Sequence, residues 1–189
     1  MVPLNVPNVL TVIRILLVPV LVVALLEKTG GGDLLAAIVF AIASMTDAID
    51  GYLARSRNWV TTFGKLMDPI ADKLLIVAAL IALVSLNRLD AWVAMVIIAR
   101  EFAVTVLRVA AGAQQGVVIS ASAFGKLKTA FQVAMVMVLI AVHGTPAWVD
   151  ALVYVTVLIT VLSGADYFFG VWSLLRRRVE PGPPARVNR

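Results

Sequence analysis

Asp47-Ala48-Ile49-Asp50-Gly51-Tyr52-Leu53-Ala54-Arg55, and then Gly64-Lys65-Leu66-Met67-Asp68-Pro69-Ile70-Ala71-Asp72: these two runs lie where one strongly apolar segment ends and the next begins. A short polar hairpin around Ser56-Arg57-Asn58 joins them. The spacing of three from Asp47 to Asp50, and of four from Asp68 to Asp72, sets each pair on one face of a helix. The hairpin predicts two antiparallel neighbouring helices whose acidic faces converge at the edge of an apolar layer. Unpaired carboxylates at a bilayer boundary are costly, so four together imply a cation.

The composition supplies the apolar layer. The chain has 189 residues, is 61% hydrophobic and has a mean hydropathy of +0.99. A soluble domain is nearer half apolar, so the surplus calls for lipid rather than a larger core. Cysteine is absent, which excludes disulfides and thiolate metal sites, and the single histidine argues against a His-based one. Met1 to Asn8 contains no Lys or Arg, so the first apolar stretch reads as a retained span rather than a cleaved signal.

Six stretches are long enough to cross a hydrocarbon core, which takes about 20 helical residues. They fall near 8–27, 33–53, 66–86, 90–112, 125–143 and 147–174. Gly30-Gly31-Gly32, Asn87-Arg88, Gln114-Gln115-Gly116 and Gly144-Thr145-Pro146 punctuate them. The predicted fold is an all-α integral membrane bundle of six transmembrane helices. It forms one catalytic domain over 1–175, followed by a basic, disordered cytoplasmic tail over 176–189. With the N-terminus inside, Lys28 and Arg88 alone lie on outer connections, and the other Lys and Arg fall on the inner side. The positive-inside rule then puts both termini and the aspartate hairpin in the cytoplasm.

Carboxylate oxygens are hard ligands suited to Mg²⁺ or Mn²⁺. Two such ions bridging a diphosphate would favour in-line displacement at phosphorus. Gly51 and Ala54 leave room for a ligand against the backbone, and Arg55 offers a fork-shaped cation to phosphate or nucleotide. The plainer reading is a solvated hairpin in which the aspartates pair with Arg55, Arg57, Lys65 and Lys73. Such a hairpin has no need of this Gly, Ala and Asp frame.

The frame Asp47-x2-Asp50-Gly51-x2-Ala54-Arg55-x8-Gly64-x3-Asp68-x3-Asp72 resembles the full signature of the CDP-alcohol phosphotransferases. The resemblance implies a six-helix membrane enzyme, commonly a homodimer, that transfers a phosphatidyl or phospho-base group from a CDP ester to an alcohol and releases CMP. It implies Asp47, Asp50 and Asp68 as metal ligands. Asp72 becomes both a metal neighbour and the general base, and Gly51, Ala54 and Arg55 line the nucleotide. An alcohol is a poor nucleophile at neutral pH and needs such a base within hydrogen-bond reach.

Other stretches bear on the acceptor. Asn5 to Arg14, Leu66 to Leu75, Arg100-Glu101-Phe102, Leu107-Arg108 and Gly125-Lys126-Leu127-Lys128-Thr129 with Gln132 resemble a bacterial branch of that family. That branch uses CDP-diacylglycerol and sn-glycerol 3-phosphate and gives phosphatidylglycerophosphate, which implies a bacterial plasma membrane. The likeness runs over about residues 5–135. A dianionic acceptor needs cations, and Arg100, Arg108, Lys126 and Lys128 are the candidates. Against this, lysines at a membrane edge also snorkel, and Arg100 with Glu101 also fits an interhelical polar network. Asn8 and Thr11 are expected at the nucleotide by resemblance, though they also suit a helix cap. Arg14 is open between the two readings.

His143 is expected at the outer interface, Asp166 against a neighbouring helix, and Trp92, Trp148 and Trp172 as interfacial anchors. Arg176-Arg177-Arg178 suits anionic lipid. An inositol phosphate acceptor is the nearest rival. A membrane prenyltransferase lacks the need for Gly-x2-Ala-Arg, and a divalent-cation transporter favours carboxylates nearer the midplane.

Overall fold

The computed structural model describes residues 6–27, 31–57, 62–115, 123–144 and 146–179. Among these it contains six helices and no strands: α1 (Val6–Leu26), α2 (Gly32–Arg57), α3 (Thr62–Ser85), α4 (Ala91–Gln115), α5 (Ala123–Ala141) and α6 (Ala147–Val179). The predicted all-helical class and the order of six elements match this. By length and apolar content, two of the helices carry a window able to cross a membrane, Val9–Leu26 in α1 and Ala147–Gly170 in α6. The apolar run of α2, Gly32–Thr46, is shorter. Helix α6 continues to Val179, so Arg176–Arg178 are helical rather than part of a tail. Nothing in the sequence breaks that helix before Pro181. Residues 180–189 of the expected tail lie outside the described residues.

The helix ends carry their own logic. Asn87 adopts a left-handed φ of 56°. Its N–H donates to the Val84 carbonyl at 3.0 Å, and the Arg88 N–H donates to the Leu83 carbonyl at 2.9 Å. That is a Schellman ending, with asparagine in the place usually taken by glycine. Gly32 starts α2 against the carbonyl end of α1, where an added Cβ would lie 2.7 Å from the oxygens of both Ala24 and Glu27.

Helices α2 and α3 touch only marginally among the described residues, and α1 packs extensively on both. Helix α6 packs on α4 and α5, and α2 also contacts α5. The apolar core runs through Leu21, Phe40, Leu75, Leu80, Leu83, Ile97, Met135 and Ile140.

Polarity is inverted relative to a soluble bundle. Arg14 is fully buried and Glu101 and Lys128 nearly so, while Leu34 and Phe169 are each 68% exposed. Leu16, Val23, Met45, Met95 and Val109 also face outward.

One end of the bundle is fastened by ion pairs. Arg88 donates to both carboxylate oxygens of Asp33, at 2.7 and 2.9 Å, and to the Ile140 carbonyl at 3.1 Å. His143 Nε2 lies 2.6 Å from Asp33 Oδ2 and 3.3 Å from Arg88 Nη2. This cluster joins the first turn of α2 to the α3–α4 and α5–α6 connections. It puts His143 at the end of the bundle away from Asp72, as the sequence predicts.

Candidate active site

The opposite half of the bundle holds a cavity of about 890 Å³. Helices α2 to α5 line it: Ala41, Ser44 and Met45 from α2, Asp72, Lys73 and Ile76 from α3, Arg100, Glu101, Val104 and Arg108 from α4, and Lys126, Lys128, Gln132 and Met137 from α5. One part of the wall is therefore apolar and the rest is densely charged. Asp72, Arg100, Arg108, Lys126 and Lys128, five of the predicted site residues, meet here.

The remaining predicted residues divide into two groups. The backbones of Asp47, Asp50, Gly51, Ala54 and Arg55 lie in α2, and that of Asp68 lies in α3. Their side chains, and that of Asn8, lie outside the described residues. Thr11 and Arg14 are buried on α1 and are not among the residues lining this cavity. Asp166 is exposed on α6.

Charge inside the cavity is organised around Glu101. Its carboxylate accepts from Lys73 Nζ at 3.2 Å through Oε2. Through Oε1 it accepts from Arg100 Nη1 at 3.2 Å and pairs with Lys128. Three cations thus share one carboxylate, and the cluster keeps a positive surplus. Arg100 also donates from Nη2 to Ser163 Oγ of α6 at 2.6 Å. The next residue, Gly164, makes room for it: a Cβ there would sit 3.2 Å from Arg100 Cγ. Arg108 stacks on Tyr167 of α6, with its guanidinium carbon 5.6 Å from the ring centre, a cation–π contact.

Three buried donors on the cavity wall, Ser44 Oγ, Arg100 Nε and Gln132 Nε2, make no hydrogen bond within the protein. Buried polar groups are nearly always paired, so such a set favours a ligand rich in acceptor oxygens.

For a metal, the donor set is carboxylate only. Among the described residues no group of three His, Cys, Asp or Glu is assembled. Asp72 opens onto the cavity, and Asp47, Asp50 and Asp68 follow along α2 and α3 at helical spacing. All-oxygen donors of this kind fit a hard divalent cation.

Sequence reasoning did not find Lys73, Ser163 or Gly164 as site residues. Lys73 stood out in the sequence only as a possible partner of the hairpin aspartates, and Ser163-Gly164 only as a small-residue step in an otherwise bulky apolar helix. Both become meaningful through contacts across the bundle.

The CDP-alcohol phosphatidyltransferase family model matches residues 4–164. The chain is 42% identical to a CDP-diacylglycerol–glycerol-3-phosphate 3-phosphatidyltransferase of Bacillus subtilis (strain 168), over 91% of this chain and 97% of that relative. It is 44% identical to a probable phosphatidylglycerophosphate synthase of Mycobacterium tuberculosis (strain ATCC 25618 / H37Rv), over 86% and 79% of the two chains. A Rickettsia felis (strain ATCC VR-1525 / URRWXCal2) protein named as the same 3-phosphatidyltransferase is 35% identical, over 87% and 93%.

Proposed function

The chain belongs to the CDP-alcohol phosphatidyltransferase family, and on that premise we propose that it is a phosphatidylglycerophosphate synthase. It transfers the phosphatidyl group of CDP-diacylglycerol to sn-glycerol 3-phosphate and releases CMP. The observation that carries this reading is the cavity itself, in which the acidic Asp72 faces a wall with surplus positive charge. A phosphate-bearing alcohol needs both: a base at the hydroxyl and cations at the phosphate.

In this reading Asp72 accepts the proton from the primary hydroxyl as that oxygen attacks the β-phosphorus of the donor. The oxygen–phosphorus bond forms as the bond to the departing CMP breaks, without a covalent enzyme intermediate. Arg108 and Lys126, both exposed at the cavity wall, meet the acceptor phosphate, and Arg100 and Lys128 hold it from deeper in. Asn8, Thr11, Gly51, Ala54 and Arg55 bind the nucleotide. Asp47, Asp50, Asp68 and Asp72 would hold Mg²⁺ or Mn²⁺, as two ions. Bound there, the metal supplies charge neutralisation for the diphosphate and the leaving group.

The inverted polarity supports a bilayer as solvent, with six spans and both termini in the cytoplasm. The membrane is the bacterial plasma membrane, the active site faces the cytoplasm, and two copies form a homodimer. Excess Lys and Arg on one side support that orientation.

The test is CMP release by purified protein with CDP-diacylglycerol and Mg²⁺ or Mn²⁺, offering glycerol 3-phosphate and inositol phosphate separately. Release with glycerol 3-phosphate, lost in Asp72→Asn while the protein still folds, is expected. Release only with inositol phosphate would overturn the acceptor, and normal turnover by Asp72→Asn would overturn the assignment of the base.

A further inference from the structure

Glu101 sits about 15 Å along α4 from Ala91, and Lys73 about 18 Å along α3 from Ser85, at 1.5 Å per residue. Half a hydrocarbon core is about 15 Å. A carboxylate and three cations at that depth are expensive, and charges placed there mark function by default. Stability alone does not explain them, since apolar residues of similar volume commonly serve a core as well or better than a buried ion cluster.

The geometry separates two kinds of cation. Arg108 and Lys126 are exposed at the wall of the cavity. Lys73, Arg100 and Lys128, from three different helices, are all turned onto the two oxygens of Glu101. A lone arginine or lysine on a long stem has many rotamers, and fixing it costs entropy. Here one carboxylate fixes three of them at once. Arg100 has a second fixed point on α6, because Ser163 accepts its other terminal nitrogen and Gly164 leaves space for its stem. Its Nε stays unpaired on the cavity wall.

We infer that Glu101 is a positioning residue: it touches no substrate, but spaces Lys73, Arg100 and Lys128 around the seat of one phosphate dianion, with Ser163-Gly164 as the second anchor of Arg100. This rests on the reading of the cavity as the acceptor site. The surplus of the cluster, three positive charges against one negative, is equal in size and opposite in sign to the charge of a phosphate monoester dianion. Glu101 therefore sets geometry at a cost in attraction, since removing it would make the wall more positive.

That trade gives a test with opposite signs. Full-length Glu101→Gln, Glu101→Asp and Ser163→Ala are purified in detergent beside the wild type and Asp33→Asn, a change at the far end of the bundle. The KM for each substrate, kcat and the melting temperature are measured by CMP release and thermal unfolding. The positioning role predicts a rise of about tenfold or more in the KM for glycerol 3-phosphate in Glu101→Gln. It predicts a smaller rise, about three- to tenfold, in Ser163→Ala and partial rescue in Glu101→Asp. The KM for CDP-diacylglycerol stays within about twofold, and Asp33→Asn melts lower with both KM values unchanged.

A fall in acceptor KM in Glu101→Gln would mean that Glu101 acts as charge alone, and overturns the inference. So would loss of both substrates in parallel with the melt, as a purely structural role predicts. If Glu101→Gln does not fold, Ser163→Ala decides, and an unchanged acceptor KM there overturns the inference. An inactive wild type would remove the functional reading and this inference with it, whereas an active wild type with unmoved variants sinks the inference alone.

Discussion

Gly164→Ala sets two measurable effects against each other. Glycine inside a helix costs roughly 0.8–1 kcal/mol relative to alanine, so the change should strengthen α6 by about that much. The new methyl, however, lies 3.2 Å from Arg100 Cγ and 3.7 Å from Nε, where carbon contacts prefer about 3.5–4.0 Å. The contact falls on the stem of the arginine, not its tip, so the whole guanidinium must withdraw by roughly half an ångström. The Arg100–Glu101 bond is already 3.2 Å long and has little reach to spare. Stretching it past bonding distance forfeits much of a charge-assisted hydrogen bond, about 1–2 kcal/mol. If Arg100 is held for the acceptor phosphate, that loss reads as roughly a 5- to 30-fold rise in the KM for glycerol 3-phosphate. Set against the helix gain of about 0.8–1 kcal/mol, that loss should leave the melting temperature level or slightly lower. The assay is CMP release over a glycerol 3-phosphate titration at saturating CDP-diacylglycerol, with a melt on the same preparation. An unchanged acceptor KM with a raised melt would refute the reasoning, since the methyl would then have been absorbed without cost to the site.

Two further outcomes follow from other parts of the molecule. Arg88→Met removes both hydrogen bonds to Asp33 and the one to the Ile140 carbonyl; for a partly exposed pair this should cost about 1–2 kcal/mol and lower the melting temperature while leaving both KM values alone. Chelation of divalent cations should abolish CMP release, and Mg²⁺ or Mn²⁺ should restore it, whereas activity that survives chelation would remove the carboxylates from their assigned role.

Much of the site was legible because its chemistry is written at helical spacing. Asp72 and its acidic partners stand three and four residues apart, and helical periodicity alone puts them on α2 and α3. The cations Arg108, Lys126 and Lys128 were legible as charge where a bundle has little reason for it. The role of α1 was not legible. A short hairpin says nothing of a third helix, and among the described residues α1 packs on both α2 and α3. The Ser163-Gly164 step was hidden for a related reason. A small residue in an apolar helix has no meaning until the stem lying over it is known, and here that stem comes from position 100. At the end of α6 charge can end a span without ending a helix, and Arg176–Arg178 continue the coil.

In the bilayer proposed for this chain, the division of apolar length governs how it enters lipid. Among the described residues, α1 and α6 alone carry a window long and apolar enough, by length and composition, to cross a membrane. The helices between them bear the charges of the Glu101 cluster: Lys73 on α3, Arg100 and Glu101 on α4, Lys128 on α5. Lys73 and Lys128 meet their counter-charge only when α4 stands beside α3 and α5, whereas Arg100 shares α4 with Glu101. In the proposed six-span arrangement, the charges of the middle helices are then satisfied by their packing on one another rather than by each helix alone. A substitution that unbalances the cluster is thus felt twice, once in the finished enzyme and once, earlier, in the yield of chains that ever reach it.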